Sequence, residues 1–172
     1  LRNSHSMTNY CLMNSMNFED CLRHLHLRPL ISSGLPEIAE ELNADYWISF
    51  SCRDGKHIND GNNISECARK LSEGYPHLKM IGVNCTKPEY IVSLIHELKE
   101  ATNLPIGVYP NSGEVYDPAT KTWTHSEDML DFGTYALPYM KAGASAVGGC
   151  CTTTEKHIMQ VANARKKFLA EN

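Results

Sequence analysis

The chain of 172 residues is 42% hydrophobic and 21% charged, with a net charge of −4. That suits one soluble domain with a buried core. A pI near 6.1 excludes nucleic acid as the main partner, because no basic stripe is available to neutralise phosphates. Arg165-Lys166-Lys167 falls near the end of a predicted helix, where cations suit the helix dipole. No apolar run nears the roughly 18 residues a membrane span requires, and the N-terminus lacks the basic start and apolar block of a secretory signal. The expected compartment is therefore cytoplasmic. Thiols stay reduced there, so seven irregularly spaced cysteines point to metal ligation or buried thiols before disulfides.

Residues 1–33 read as an irregular N-terminal segment. Leu1 to Asn17 shows no period of 2 or 3.6, and Phe18 to Leu30 can form one short helix ended by Pro29. Cys11, Cys21, His5, His24 and His26 lie here, at a spacing that matches no standard zinc pattern. From residue 34 to residue 172 the pattern becomes strand–helix alternation. Pro36 to Leu42 predicts a helix with proline in its first turn. Tyr46 to Ser51 predicts a strand by its aromatic and β-branched content. A polar loop and a helix from Ile64 to Ser72 follow, then a second strand from Met80 to Val83. Thr86 is a plausible cap for a helix running to Ala101, with Ile91, Leu94, Ile95 and Leu98 on its buried face. Ile106 to Tyr109 is the third strand, and Pro110-Asn111-Ser112-Gly113 a turn. The segment Val115 to Trp123 reads as loop. Glu127 to Lys141 reads as a helix that Pro138 kinks or ends and Gly143 stops. Ser145 to Val147 is the fourth strand, and Glu155 to Leu169 the last helix.

Four successive βα units imply a parallel sheet with helical crossovers. An open doubly wound sheet and a partial (β/α)8 barrel both fit; no Gly-x-Gly-x-x-Gly follows a strand, so the dinucleotide version of the former has no support. Cys85, Cys150 and Cys151 follow the ends of the second and fourth strands, at the rim where a barrel builds its active site. Three thiolates without a fourth ligand match a catalytic zinc with one open position. The competing reading is that they are small packed residues, since free cysteine is often buried. Cys52 and Cys67 read as packed thiols, and Trp47 and Trp123 as packing residues. His57, His125 and His157 are alternative ligands or acid–base groups, with surface or capping roles as the plainer assignment.

The stretches IGVNCTKPEYI, YPNSGEVYDPATKTW and GGCCTTTEKHI closely resemble the homocysteine S-methyltransferase family, over the region from Leu35 to the C-terminus. The fungal members that use S-methylmethionine or S-adenosylmethionine look closest. The resemblance implies a TIM barrel and a Zn2+ held by Cys85, Cys150 and Cys151. It also implies methyl transfer from a sulfonium donor to homocysteine, giving methionine. Asn84 and Asn111 share the rim and are candidates for orienting substrate, with turn-forming roles as the alternative. The family's Arg after the paired cysteines and Pro before the last helix are replaced by Thr152 and Glu155. Its Asp-Gly-Gly segment and Glu-Thr-Ile-Pro-like strand end, which hold the homocysteine amino group, do not occur in this sequence. The expectation is the C-terminal half of the barrel, read either as the enzyme or as a truncated zinc-binding fragment without catalytic activity.

Overall fold

The computed structural model describes residues 35–117, 119–124 and 131–171. The readings on Cys11, Cys21, His5, His24, His26, the Phe18–Leu30 helix and His125 lie outside these residues. In chain order the elements are α1 (Leu35–Glu41), β1 (Tyr46–Phe50), α2 (Ile64–Gly74), β2 (Leu78–Asn84), a 3-10 turn (Pro88–Tyr90) and α3 (Ile91–Ala101). β3 (Ile106–Tyr109), β4 (Val115–Asp117), β5 (Thr122–Thr124), α4 (Phe132–Ala142), β6 (Ala146–Val147) and α5 (Glu155–Glu171) complete the described chain.

β1, β2, β3 and β6 form one parallel sheet in that order. Residues paired across a sheet share a face, so the register sorts the strands into two sides. Ile48, Ile81 and Ile106 fall on one side with Phe50, Val83 and Val108, and all six are 4% exposed or less. They pack against Ile64, Cys67, Ala68 and Leu71 of α2, Ile91, Leu94, Ile95 and Leu98 of α3, and Tyr139 of α4. The other side carries a layer of small residues, Ser49, Gly82, Gly107 and Ala146. Trp47, Met80 and Tyr109 on that side are only half-buried. A doubly wound sheet has helices on both faces. Here the core lies on one face and the strands run in sequence order, which is the arrangement of a β/α barrel segment. The four strands of this sheet among the described residues leave the barrel unclosed.

The small-residue layer has a steric cause. A Cβ on Gly82 would stand 1.8 Å from the Gly107 carbonyl oxygen. The Tyr109 and Ser49 hydroxyls hydrogen-bond to each other from β3 and β1, on either side of Gly82 in β2. On the helical side, Gly133 brings α4 against α5: a Cβ there would lie 3.1 Å from the Gln160 carbonyl oxygen. Phe132, Ala136, Val161 and Ala164 form a second, smaller core between these two helices.

Several boundaries differ from the sequence reading. β2 begins at Leu78, two residues earlier than predicted, and α2 runs on to Gly74. Val115 to Trp123, read as loop, contains the antiparallel hairpin β4–β5. α4 starts at Phe132, with the Asp131 carboxylate accepting from the Gly133 amide at 2.8 Å. Pro138 stays inside this helix on its exposed side. Gly143, at φ 108°, ends it as expected. Thr86 is no helix cap: the 3-10 turn is capped at Lys87 with no side-chain bond, and the threonine hydroxyl is used elsewhere. Among the described residues no helix is long and apolar enough to cross a membrane.

Tyr139 is 1% exposed and donates its hydroxyl to the Pro88 carbonyl at 2.9 Å, tying α4 to the turn after β2. Burial pushes its phenol pKa up, so the hydroxyl stays a donor. Tyr139→Phe removes that bond while the Pro88 carbonyl keeps the Ile91 amide as a donor; we expect a loss of about 1 kcal/mol in urea denaturation.

Candidate metal centre

The strand ladder continues past the strand ends as loop-to-loop hydrogen bonds. The Cys85 amide donates to the Tyr109 carbonyl at 3.3 Å, and the Asn111 amide to the Thr86 carbonyl at 3.1 Å. The Cys150 amide donates to the Pro110 carbonyl at 2.8 Å, and the Ser112 amide to the Cys151 carbonyl at 3.2 Å. These bonds draw the loop after β2, the loop after β3 and the loop after β6 together. Cys85 and Thr152 sit in the left-handed region, at φ 46° and 62°, a conformation costly for non-glycine residues. The threonine run explains how the second turn is held. Thr153 Oγ1 donates to the Cys150 carbonyl at 2.6 Å, and Thr152 Oγ1 to the Cys151 carbonyl at 2.5 Å. The buried Ser112 hydroxyl bonds that of Thr152.

Cys85, Cys150 and Cys151 converge as a result: their sulfurs all lie within 4.8 Å of one another, and all three residues are partly accessible. Cys151 Sγ is 3.7 Å from Cys85 Sγ and 4.0 Å from Cys150 Sγ. Tetrahedral zinc with Zn–S near 2.3 Å requires sulfurs about 3.8 Å apart, a spacing that the two separations from Cys151 match. Cys85 and Cys150 are joined as a disulfide, with Cα atoms 5.6 Å apart, where the composition favoured reduced thiols. Three sulfurs gathered at one point can serve either as a bonded pair with a third thiol or, once reduced, as three ligands.

The two asparagines lie at the same rim. Asn84 closes β2, is 8% exposed, and accepts from the Ser51 hydroxyl at 3.3 Å. Asn111 Oδ1 is buried without a hydrogen-bond partner among the described residues. Cys52 and Cys67 are not part of the cluster. Both are buried, and desolvation, with smaller effects from nearby charges, pushes each thiol up to about 12. His57 pairs with Asp54 at 3.0 Å. His157 Nδ1 accepts from the Thr154 amide at 2.9 Å, capping α5. Trp47 lies on the half-buried side of the sheet. Trp123 belongs to β5. Sequence reasoning missed the hydroxyl groups of Ser112 and Thr152 and read Thr86 as a helix cap, because a threonine or serine carries no spacing signal of its own.

Residues 30–165 match the model of the family described as homocysteine S-methyltransferase. The chain belongs to the homocysteine S-methyltransferase family. It is 47% identical over 116 residues to homocysteine S-methyltransferase YbgG of Bacillus subtilis, covering 67% of this chain and 36% of that protein. Homocysteine S-methyltransferase 3 of Arabidopsis thaliana is 43% identical over 125 residues, covering 72% of this chain and 36% of its own. Among solved structures, the metallated form of the homocysteine methyltransferase MmuM from Escherichia coli superposes with a TM-score of 0.61 at 31% identity. That match covers 75% of this chain and 39% of the Escherichia coli chain. The oxidized form of the same enzyme gives a TM-score of 0.57 at 33% identity, covering 76% and 40%. The chain thus spans little more than a third of the length of these relatives.

The burial difference between the two sets of thiols predicts their reactivity. A shift from about 9 to about 12 leaves roughly a thousandfold less thiolate at pH 8. In the reduced native protein, alkylation mapped by peptide mass spectrometry is expected to label Cys151 early, and Cys52 and Cys67 only after denaturant is added.

Proposed function

We propose that this chain carries the metal-binding portion of a zinc-dependent enzyme that transfers a methyl group from S-methylmethionine or S-adenosylmethionine to homocysteine, giving methionine. The convergence of three sulfurs on the rim of a barrel-type sheet carries this reading, and membership of the family supports it. When bound, Zn2+ would supply an open Lewis-acid position at which a thiol loses its proton at neutral pH. Cys85, Cys150 and Cys151 would hold it as thiolates, in a reducing compartment such as the cytoplasm.

The chain's own contribution is placement. Cys85 comes from one loop and the adjacent Cys150 and Cys151 from another, so the site exists only while the rim bonds hold both loops. Asn84 has its oxygen engaged by Ser51, which leaves the amide nitrogen to donate. Asn111 Oδ1 is an acceptor awaiting a donor, and a buried unpaired carbonyl costs about 1–3 kcal/mol. Both suit groups that orient a polar amino-acid substrate beside the cluster. Residues 34–172 would form the homocysteine-binding portion.

A second reading is a zinc-binding fragment without turnover. The unclosed sheet, whose barrel-interior face is half-buried at Trp47, Met80 and Tyr109, favours it.

The test is zinc per folded chain under reducing conditions, for wild type and Cys85→Ala, with X-ray absorption at the metal before and after homocysteine is added. We expect near-stoichiometric zinc in wild type, none in the variant, and an added sulfur neighbour with homocysteine. Zinc content unchanged by Cys85→Ala would end the three-cysteine assignment. Methyl transfer from each donor then separates enzyme from fragment: zinc binding with no methionine formed favours the fragment.

A further inference from the structure

The two arms of the cysteine cluster are held unequally. Around Cys150 and Cys151, the hydroxyls of Thr152, Thr153 and Ser112 all engage the turn or one another, so loss of one leaves others in place. Cys85 is flanked in sequence by one hydroxyl, that of Thr86. Thr86 is 1% exposed. Its Oγ1 donates to the Asn84 carbonyl at 2.8 Å and accepts from the Cys52 amide at 2.8 Å. The first bond closes a small ring around Cys85, from the residue before it to the residue after. The second fixes that ring to the end of β1, and the Thr86 carbonyl accepts from Asn111 beyond β3. One residue therefore links three strand ends around the cysteine whose backbone is held at φ 46°.

We infer that Thr86 is the positioning residue of the metal centre: its hydroxyl holds Cys85 in the left-handed conformation that aims Sγ at Cys150 and Cys151. This rests on the proposed three-cysteine site. Valine has the shape of threonine but neither donates nor accepts. Thr86→Val would leave the Asn84 carbonyl and the Cys52 amide without their partner and free the Cys85 backbone to relax toward negative φ. Serine keeps the hydroxyl.

The experiment titrates the full, reduced chain anaerobically with cobalt(II), reading the thiolate-to-metal charge-transfer band. Zinc affinity follows by competition with a chromophoric chelator. Wild type, Thr86→Val, Thr86→Ser and Tyr139→Phe are compared, with urea midpoints for each. Loss of a partner that orients a ligand typically costs 10- to 100-fold in metal affinity. We expect Thr86→Val to lose roughly that factor and to show the weaker band of two thiolates, and Thr86→Ser to bind close to wild type. Tyr139→Phe controls for stability alone and should melt earlier with unchanged affinity and spectrum. If Thr86→Val does not fold, Thr86→Ala, which removes the same hydroxyl with less bulk, takes its position with the same outcomes deciding. A wild-type affinity and a three-thiolate band in the variant overturn the positioning role while leaving the metal centre standing. Absence of any cobalt–thiolate band in wild type overturns both.

Discussion

The structure depends on hydrogen bonds that extend the parallel ladder beyond its strands. Strand pairing alone aligns Gly82 with Gly107 and Val108 with Val147, but Cys85 and Cys150 lie past those ends. The amides of Cys85, Asn111 and Cys150 carry the pairing one step further, onto the carbonyls of Tyr109, Thr86 and Pro110. Because the strands are parallel, every loop that follows one emerges on the same side, and neighbouring loops can be laced together in this way. A chain with one antiparallel strand here would send one of the cysteine loops to the opposite edge.

Below the rim, the two faces of the sheet have opposite tasks. The face toward α2 and α3 is filled by branched aliphatic side chains and supplies most of the hydrophobic stabilisation. The other face has one layer thinned to glycine, serine and alanine between Trp47, Met80 and Tyr109, since a Cβ on Gly82 would meet the Gly107 carbonyl. The resemblance to known barrels explains this asymmetry: the outer face meets helices, while the inner face converges on the barrel axis, where room is short.

Much of this was legible in the sequence, and the reasons differ by element. The four strands carry short apolar runs rich in aromatic and β-branched residues, and α3 shows its buried face at Ile91, Leu94, Ile95 and Leu98, so composition and periodicity find them. The cysteine cluster was legible through its position after two strands, and through the motifs around it. The β4–β5 hairpin was not legible, because three-residue strands are too short to show alternation. Pro138 misleads in the other direction: its missing amide is tolerated because it sits on the exposed side of α4, and exposure cannot be read from a single proline. Thr86 illustrates the limit best. A threonine ahead of Lys87-Pro88-Glu89 looks like a cap by local rules, and only the loop after β1, more than thirty residues away, shows where its hydroxyl goes.

The left-handed backbone at Cys85 also restricts what evolution can place there. Branched side chains are disfavoured in that region, whereas glycine, asparagine, aspartate and histidine are tolerated. Valine and isoleucine are thus disfavoured at this position on conformational grounds, while threonine enters the same region only where its hydroxyl is engaged, as at Thr152. Residues with nitrogen or oxygen donors remain open to it. The loop could drift from a soft, sulfur-only donor set toward a mixed one without rebuilding its main chain, so its shape is more permanent than its donor chemistry.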